Sequence, residues 1–111
     1  MPYLIIDMAV VKITVVKKLA NFDLIDEYGK DVGAQCDLFN IGTEFIVKDL
    51  KMPEGFCSWA WADIQRDVAV LNFGGNFPWI KKGGTGIACC TDGFSPVVFK
   101  LERLEGFHVN T

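Results

Sequence analysis

The chain has no cluster of Lys or Arg longer than two residues, and its formal charge is −3. It therefore lacks the basic footprint that a nucleic-acid partner requires, and none is expected. It also lacks a long hydrophobic run. Tyr3 to Ile6 and Met8 to Val11 are split by Asp7, which is too short a stretch to cross a bilayer. No basic segment and small-residue cleavage site flank it, so neither a signal peptide nor a membrane partner is expected. A cytoplasmic location follows, with Cys36, Cys57, Cys89 and Cys90 as reduced thiols. No Cys-x-x-Cys spacing occurs, which removes the usual zinc-knuckle pattern. A thiolate metal site would have to gather these four residues, and His108, from separate elements, and no spacing supports it, so no metal ligand is assigned. His108 is the only histidine, and a Cys–His catalytic pair would depend on it, close to the C-terminus.

What is present is core-forming material. Half of the 111 residues are hydrophobic, with nine Phe and three Trp. That composition is globular, and a chain of this length buries enough surface to fold as one domain without staples. The pattern divides it into an N-terminal extension (1–7), a single domain (8–104) and a tail (105–111).

Met8 to Val15 alternates in the manner of a strand, with Val11, Ile13 and Val15 on one face and Lys12 and Thr14 on the other. Asn21 and Gly29 bracket a short helix over Phe22 to Tyr28. Residues 30–43 are irregular. Phe45 and Val47 mark a second strand, and Met52-Pro53-Glu54-Gly55 a turn. A long helix is predicted from about Cys57 to Phe73, closed by Gly74-Gly75. On it Cys57, Ala60, Trp61, Ile64, Val68 and Leu71 form one apolar stripe. Trp59, Val70 and Phe73 form a second strip on the opposite side, around Arg66. Ile87 to Cys90 and Pro96 to Glu102 read as two strands joined by Thr91-Asp92-Gly93-Phe94-Ser95. The fold class is α+β: a two-layer sandwich with a mostly antiparallel sheet of about four strands, and one long and one short helix on one face.

Each candidate residue has a plainer reading beside the functional one. Cys57 opens the long helix, where free N–H groups favour a thiolate, and it is the candidate catalytic residue. On the apolar stripe it also reads as a small core hydrophobe. Asp63 and Asp67 flank Arg66 and read as a surface Asp–Arg pair. Asp92-Gly93 has tight-turn chemistry. Gly83-Gly84-Thr85-Gly86, with Lys81 and Lys82, fits neither phosphate-loop fingerprint and reads as a flexible loop. If Ile87 points inward, so does Cys89, and Cys90 faces away.

Three stretches carry a resemblance: Met52-Pro53-Glu54-Gly55-Phe56-Cys57-Ser58-Trp59-Ala60-Trp61, then Phe73-Gly74-Gly75-Asn76-Phe77, then Cys89 to Arg103. With Val11-Lys12-Ile13-Thr14-Val15 they resemble a family of small prokaryotic proteins, about 100 residues long, with no assigned function. The resemblance spans about residues 9–103. It implies no cofactor and no catalytic assignment, and Ser95 stands where the family pattern carries a basic residue.

The residues leave binding protein and small enzyme both open, with cofactor and ligand undefined. A ligand site is expected where Phe56, Cys57 and Trp59, the Phe77/Trp79 loop, and Cys89, Cys90, Thr91 and Asp92 converge. The alternatives are a non-catalytic oligomerisation module and a thiolate metal protein. The exposed aromatic strip predicts a homo-oligomer, most simply a dimer.

Overall fold

The computed structural model describes residues 9–33 and 35–104; the expected N-terminal extension, Met8 and the tail with His108 lie outside the described residues. The alternation at the start of the chain builds β1 (Val10–Lys18), in which Val11, Ile13 and Val15 are buried while Lys12 and Thr14 turn to the other face. The strand runs past its expected end through an irregularity between Val15 and Lys17. α1 (Phe22–Tyr28) has the expected bounds. β2 (Glu44–Val47), α2 (Ser58–Asn72), β3 (Thr85–Cys89) and β4 (Val97–Leu104) follow.

The four strands form one antiparallel sheet in the order β2-β1-β4-β3. α2 covers one face of it, so the α+β two-layer arrangement read from the pattern is the one adopted. α1 adds nothing to that layer: it buries no residue and packs on no other element. Seven residues are too few for a helix to stand on propensity alone. Its backbone start is held instead by Asn21, whose N–H donates to Phe94 O at 2.9 Å.

The core lies between α2 and the sheet. Ala60, Ile64, Val68 and Leu71 face Val11, Ile13, Val15, Val97, Phe99 and Leu101, with Cys57 and Trp61 packed at the margin. This is the stripe expected at 100° per residue. One end of the core is aromatic: Phe56 sits 5.0 Å from Phe45, 5.1 Å from Phe39 and 5.5 Å from Phe99, ring centre to ring centre. The face away from α2 carries a cross-strand charge ladder. Lys12 Nζ lies 3.3 Å from Glu44 and 3.8 Å from Glu102, and Lys100 Nζ lies 3.4 Å from Glu102. These pairs are partly exposed and each contributes well under about 1 kcal/mol. They do keep that face polar.

On β3 Ile87 does not point inward, so the orientation conditional on it does not apply. Ala88 is buried and Cys90 packs against the core, while Ile87 and Cys89 point out. The reason is Gly86. It occupies a core-facing position without a side chain, and the Phe77 ring fills the space: a Cβ on Gly86 would lie 2.9 Å from Phe77 Cε2. The Gly-rich stretch is correspondingly a turn running into a strand, with Thr85 and Gly86 already paired to Glu102 and Leu101.

Candidate functional site

The two ends of α2 are built differently, and the difference locates the site. At the C-terminal end Gly74 adopts φ 89°. Its N–H donates to Leu71 O at 3.1 Å, and the Gly75 N–H donates to Val70 O at 2.8 Å. This pair of bonds is a Schellman closure, which needs the left-handed residue that glycine supplies most cheaply. Arg103, at a core-facing position of β4, donates to Leu71 O at 3.1 Å, Gly75 O at 2.7 Å and Asn76 Oδ1 at 2.9 Å. The Gly84 N–H donates to the same Asn76 oxygen at 2.7 Å. The amide that could have greeted an anion is thus already engaged.

At the N-terminal end, Cys57 is the cap residue, with extended backbone and no side-chain cap hydrogen bond, and no acidic residue lies in the first turn. Beside it opens a cleft of about 550 Å³. Its walls come from three segments: Cys57, Trp59 and Ala60 from the start of α2; Cys90 to Gly93 after β3; and Cys36, Leu38 and Phe39 from the irregular stretch before β2. Three of the four cysteines therefore line one space. Aromatic and aliphatic groups make up most of the wall, and the polar groups of Thr91 and Asp92 gather on one side.

The loop forming that polar side is anchored on several flanks. Cys90 extends the β3–β4 ladder, its N–H donating to Val97 O at 3.0 Å and its Sγ accepting from the Val97 N–H at 3.3 Å. The Asp63 carboxylate, from the second turn of α2, accepts the Thr91 N–H at 2.8 Å and the Thr91 hydroxyl at 3.0 Å. Asp92 Oδ1 accepts the N–H groups of Phe94 at 2.9 Å and Ser95 at 3.3 Å, the turn chemistry expected of it. Asn21 Nδ2 donates to Gly93 O at 2.7 Å. A loop held this way presents a fixed wall.

The structure brings Cys57, Trp59, Cys90, Thr91 and Asp92 together on the cleft, and places the other expected residues elsewhere. Phe56 is in the aromatic core. Phe77 packs on Gly86 beside Leu71, about 20 Å along α2 from Cys57 at 1.5 Å per residue. Trp79 stacks near Phe77, ring centres 5.4 Å apart, and is exposed. The glycine pairs around this loop thus serve the helix closure, not a cover over the cleft. Cys89 is on the outer side of β3, where its thiol donates to Cys90 O at 3.1 Å. Burial of the sulfur pushes its pKa up, with the Cys90 and Asp63 charges adding to the rise. Asp63 forms its bonds to Thr91, and no Asp63–Arg66 ion pair is present. Sequence reasoning missed Cys36, Leu38 and Phe39 as cleft residues. Their one signal was apolar composition inside a polar stretch without periodicity.

Among the described residues no three Cys, His, Asp or Glu side chains are grouped so as to hold a metal ion. No helix among them is long and apolar enough to cross a membrane. No protein-family model, curated protein or solved structure matches the chain.

Proposed function

We propose that this protein binds a small, largely apolar molecule in the cleft at the N-terminal end of α2. The observation that carries this reading is the convergence of three separate segments on one space of about 550 Å³. That volume lies within the range of small-ligand sites, and apolar walls with polar groups on one side are their usual make-up. Trp59 and Phe39 offer ring faces and edges to a planar ligand. The sulfurs of Cys36, Cys57 and Cys90 add polarisable contact surface. Thr91 and Asp92 would orient one polar group of the ligand. Asp92 Oδ1 accepts two backbone N–H groups, which holds the carboxylate in place beside the cleft. The four unpaired thiols fit a reducing, cytoplasmic setting.

Thiol footprinting tests the reading on the unaltered protein. 1-Anilinonaphthalene-8-sulfonate, an apolar aromatic anion, serves as the probe. Its binding is expected to slow iodoacetamide alkylation of Cys57 and Cys90 several-fold while leaving Cys89, outside the cleft, unchanged. Equal protection of all three thiols, or probe binding without protection of Cys57, would refute the cleft as the site.

A further inference from the structure

The polar side of the cleft is one-sided in its chemistry. Asp92 is the charged residue among those lining the space, and no Lys or Arg of the described residues joins it. Its Oδ1 is occupied by the Phe94 and Ser95 N–H groups, while its Oδ2 accepts no hydrogen bond among the described residues. Thr91 offers the cleft no side-chain donor either. Its hydroxyl donates to the Asp63 carboxylate, 3.0 Å from Oδ2 and 3.1 Å from Oδ1, so its lone pairs are what remain for a ligand. Behind Thr91, Asp63 adds a second negative charge. Among the described residues neither acid has an ion-pair partner.

We propose that the molecule bound in the cleft is a small organic cation: a protonated amine, held by the Asp92 carboxylate, on an apolar, ring-bearing body. This inference rests on the reading of the cleft as a ligand site and adds the sign of the ligand's charge. An ammonium has only donors to give, and the side-chain oxygens here are acceptors. Its bond to a carboxylate is of the strong, charge-assisted kind. The apolar body lies against Phe39 and Trp59. The indole of Trp59 is 84% exposed, and among aromatic rings indole attracts a cation most strongly.

The start of α2 pulls the other way. Its unpaired N–H groups amount to about half of a positive charge and by themselves favour an anion. Asp92 sets a full negative charge beside the same space, and Asp63 sets another on the second turn of the helix itself. The carboxylates therefore outweigh the helix end. An anion such as 1-anilinonaphthalene-8-sulfonate enters through its apolar rings, against this field.

Three probes of one shape read the sign on the unaltered protein: 2-(1-naphthyl)ethylamine as the cation, 2-(1-naphthyl)ethanol as the neutral form and 1-naphthaleneacetate as the anion. The measure is the concentration of each that halves the rate of Cys57 alkylation by iodoacetamide at neutral pH. The amine should do so at a concentration about tenfold below that of the alcohol, as one charge-assisted hydrogen bond gives, and the acetate should need the most. In Asp92→Asn the amide oxygen can keep the turn bonds to Phe94 and Ser95, and the three values should draw within about threefold of one another. Equal values on the parent protein, or a preference for the acetate, would overturn the inference and leave the cleft standing as a site. A preference for the amine that survives Asp92→Asn, with the thermal midpoint unchanged, would overturn it as well. Protection of Cys57 by none of the three would instead refute the cleft as the site, and this inference with it.

Discussion

The two ends of α2 put the same backbone problem to the protein and receive opposite answers. A helix leaves four carbonyls unpaired at one end and four N–H groups unpaired at the other. At the C-terminal end the residues that follow the helix and one remote residue satisfy the carbonyls: Gly74 and Gly75 fold back, Arg103 reaches in from β4, and Asn76 and Phe77 lock the loop onto β3. At the N-terminal end no side chain caps the helix, and the space beside it is a thiol-lined cleft. An end closed by its own chain is committed to stability. An end left open beside a shaped cavity is available to a ligand. Substitutions at the two ends should therefore separate into those that unfold the protein and those that leave it folded.

The largest effect is expected at Arg103. Its guanidinium serves two carbonyls and one amide oxygen from a partly buried position, and charge-assisted bonds of this kind are the expensive ones to lose. Arg103→Ala should cost about 2–3 kcal/mol in urea unfolding. Arg103→Lys should recover less than half of that, because a single ammonium cannot fork between acceptors in separate directions. A loss below about 0.5 kcal/mol would mean that the Schellman bonds close the helix unaided.

The second effect tests whether the open end is held rigid. Asp63 ties α2 to Thr91, and among the described residues it is the one side-chain clasp between the helix and the cleft wall. Asp63→Ala should cost about 1 kcal/mol, less than the Arg103 change because the bond is exposed. Amide exchange gives the sharper readout: Thr91 should lose protection while Gly84, at the closed end, keeps it. Parallel loss at both sites would show that the ends are coupled and that the contrast between them is false.

Much of this architecture was legible in the residues, and the failures share one cause. β1 declared itself through the alternation of Val11, Ile13 and Val15 with Lys12 and Thr14, and α2 through its apolar stripe, because each of those patterns is made by side chains that are present. β3 misled because its key core position, Gly86, has no side chain. The parity on offer depended on Ile87 pointing inward; Ile87 faces out, so Cys89 faces out with it and Cys90 turns to the core. The same glycine explains Phe77, which looked like part of a cover and is the ring that fills the missing volume. On the cleft, Cys57, Trp59 and the 90–92 loop could be brought together from one helix and one neighbouring strand. Cys36, Leu38 and Phe39 could not, since a segment without periodicity gives no direction for its side chains. Asp63 was legible as a surface acid, but its bond to Thr91 spans 28 residues and is set by the packing of α2 on β3.

The smallest effect concerns Cys89, and it separates the outer thiol from the cleft thiols. Cys89 is exposed, so access alone would make it the first to be alkylated. Its thiol is nonetheless held above its usual pKa, first by burial of the sulfur and then by the charges of Cys90 and Asp63, all of which disfavour the thiolate. The thiolate is the reactive form, so raising the pKa slows the reaction at neutral pH. The sign for stability follows directly. Because the folded pKa lies above the unfolded one, the neutral thiol favours the native state at low and neutral pH, and this contribution disappears as pH rises through the folded value. Asp63→Asn should lower the Cys89 pKa part of the way, since it removes the third of the three causes while its amide oxygen can still accept from Thr91. The pH–rate profile of Cys89 alkylation, read by fragment-ion mass spectrometry to distinguish it from Cys90, should shift to lower pH in Asp63→Asn. An unshifted profile would show that burial and the Cys90 charge restrain the thiol without Asp63, and that Asp63 acts at the open end only through its clasp on Thr91.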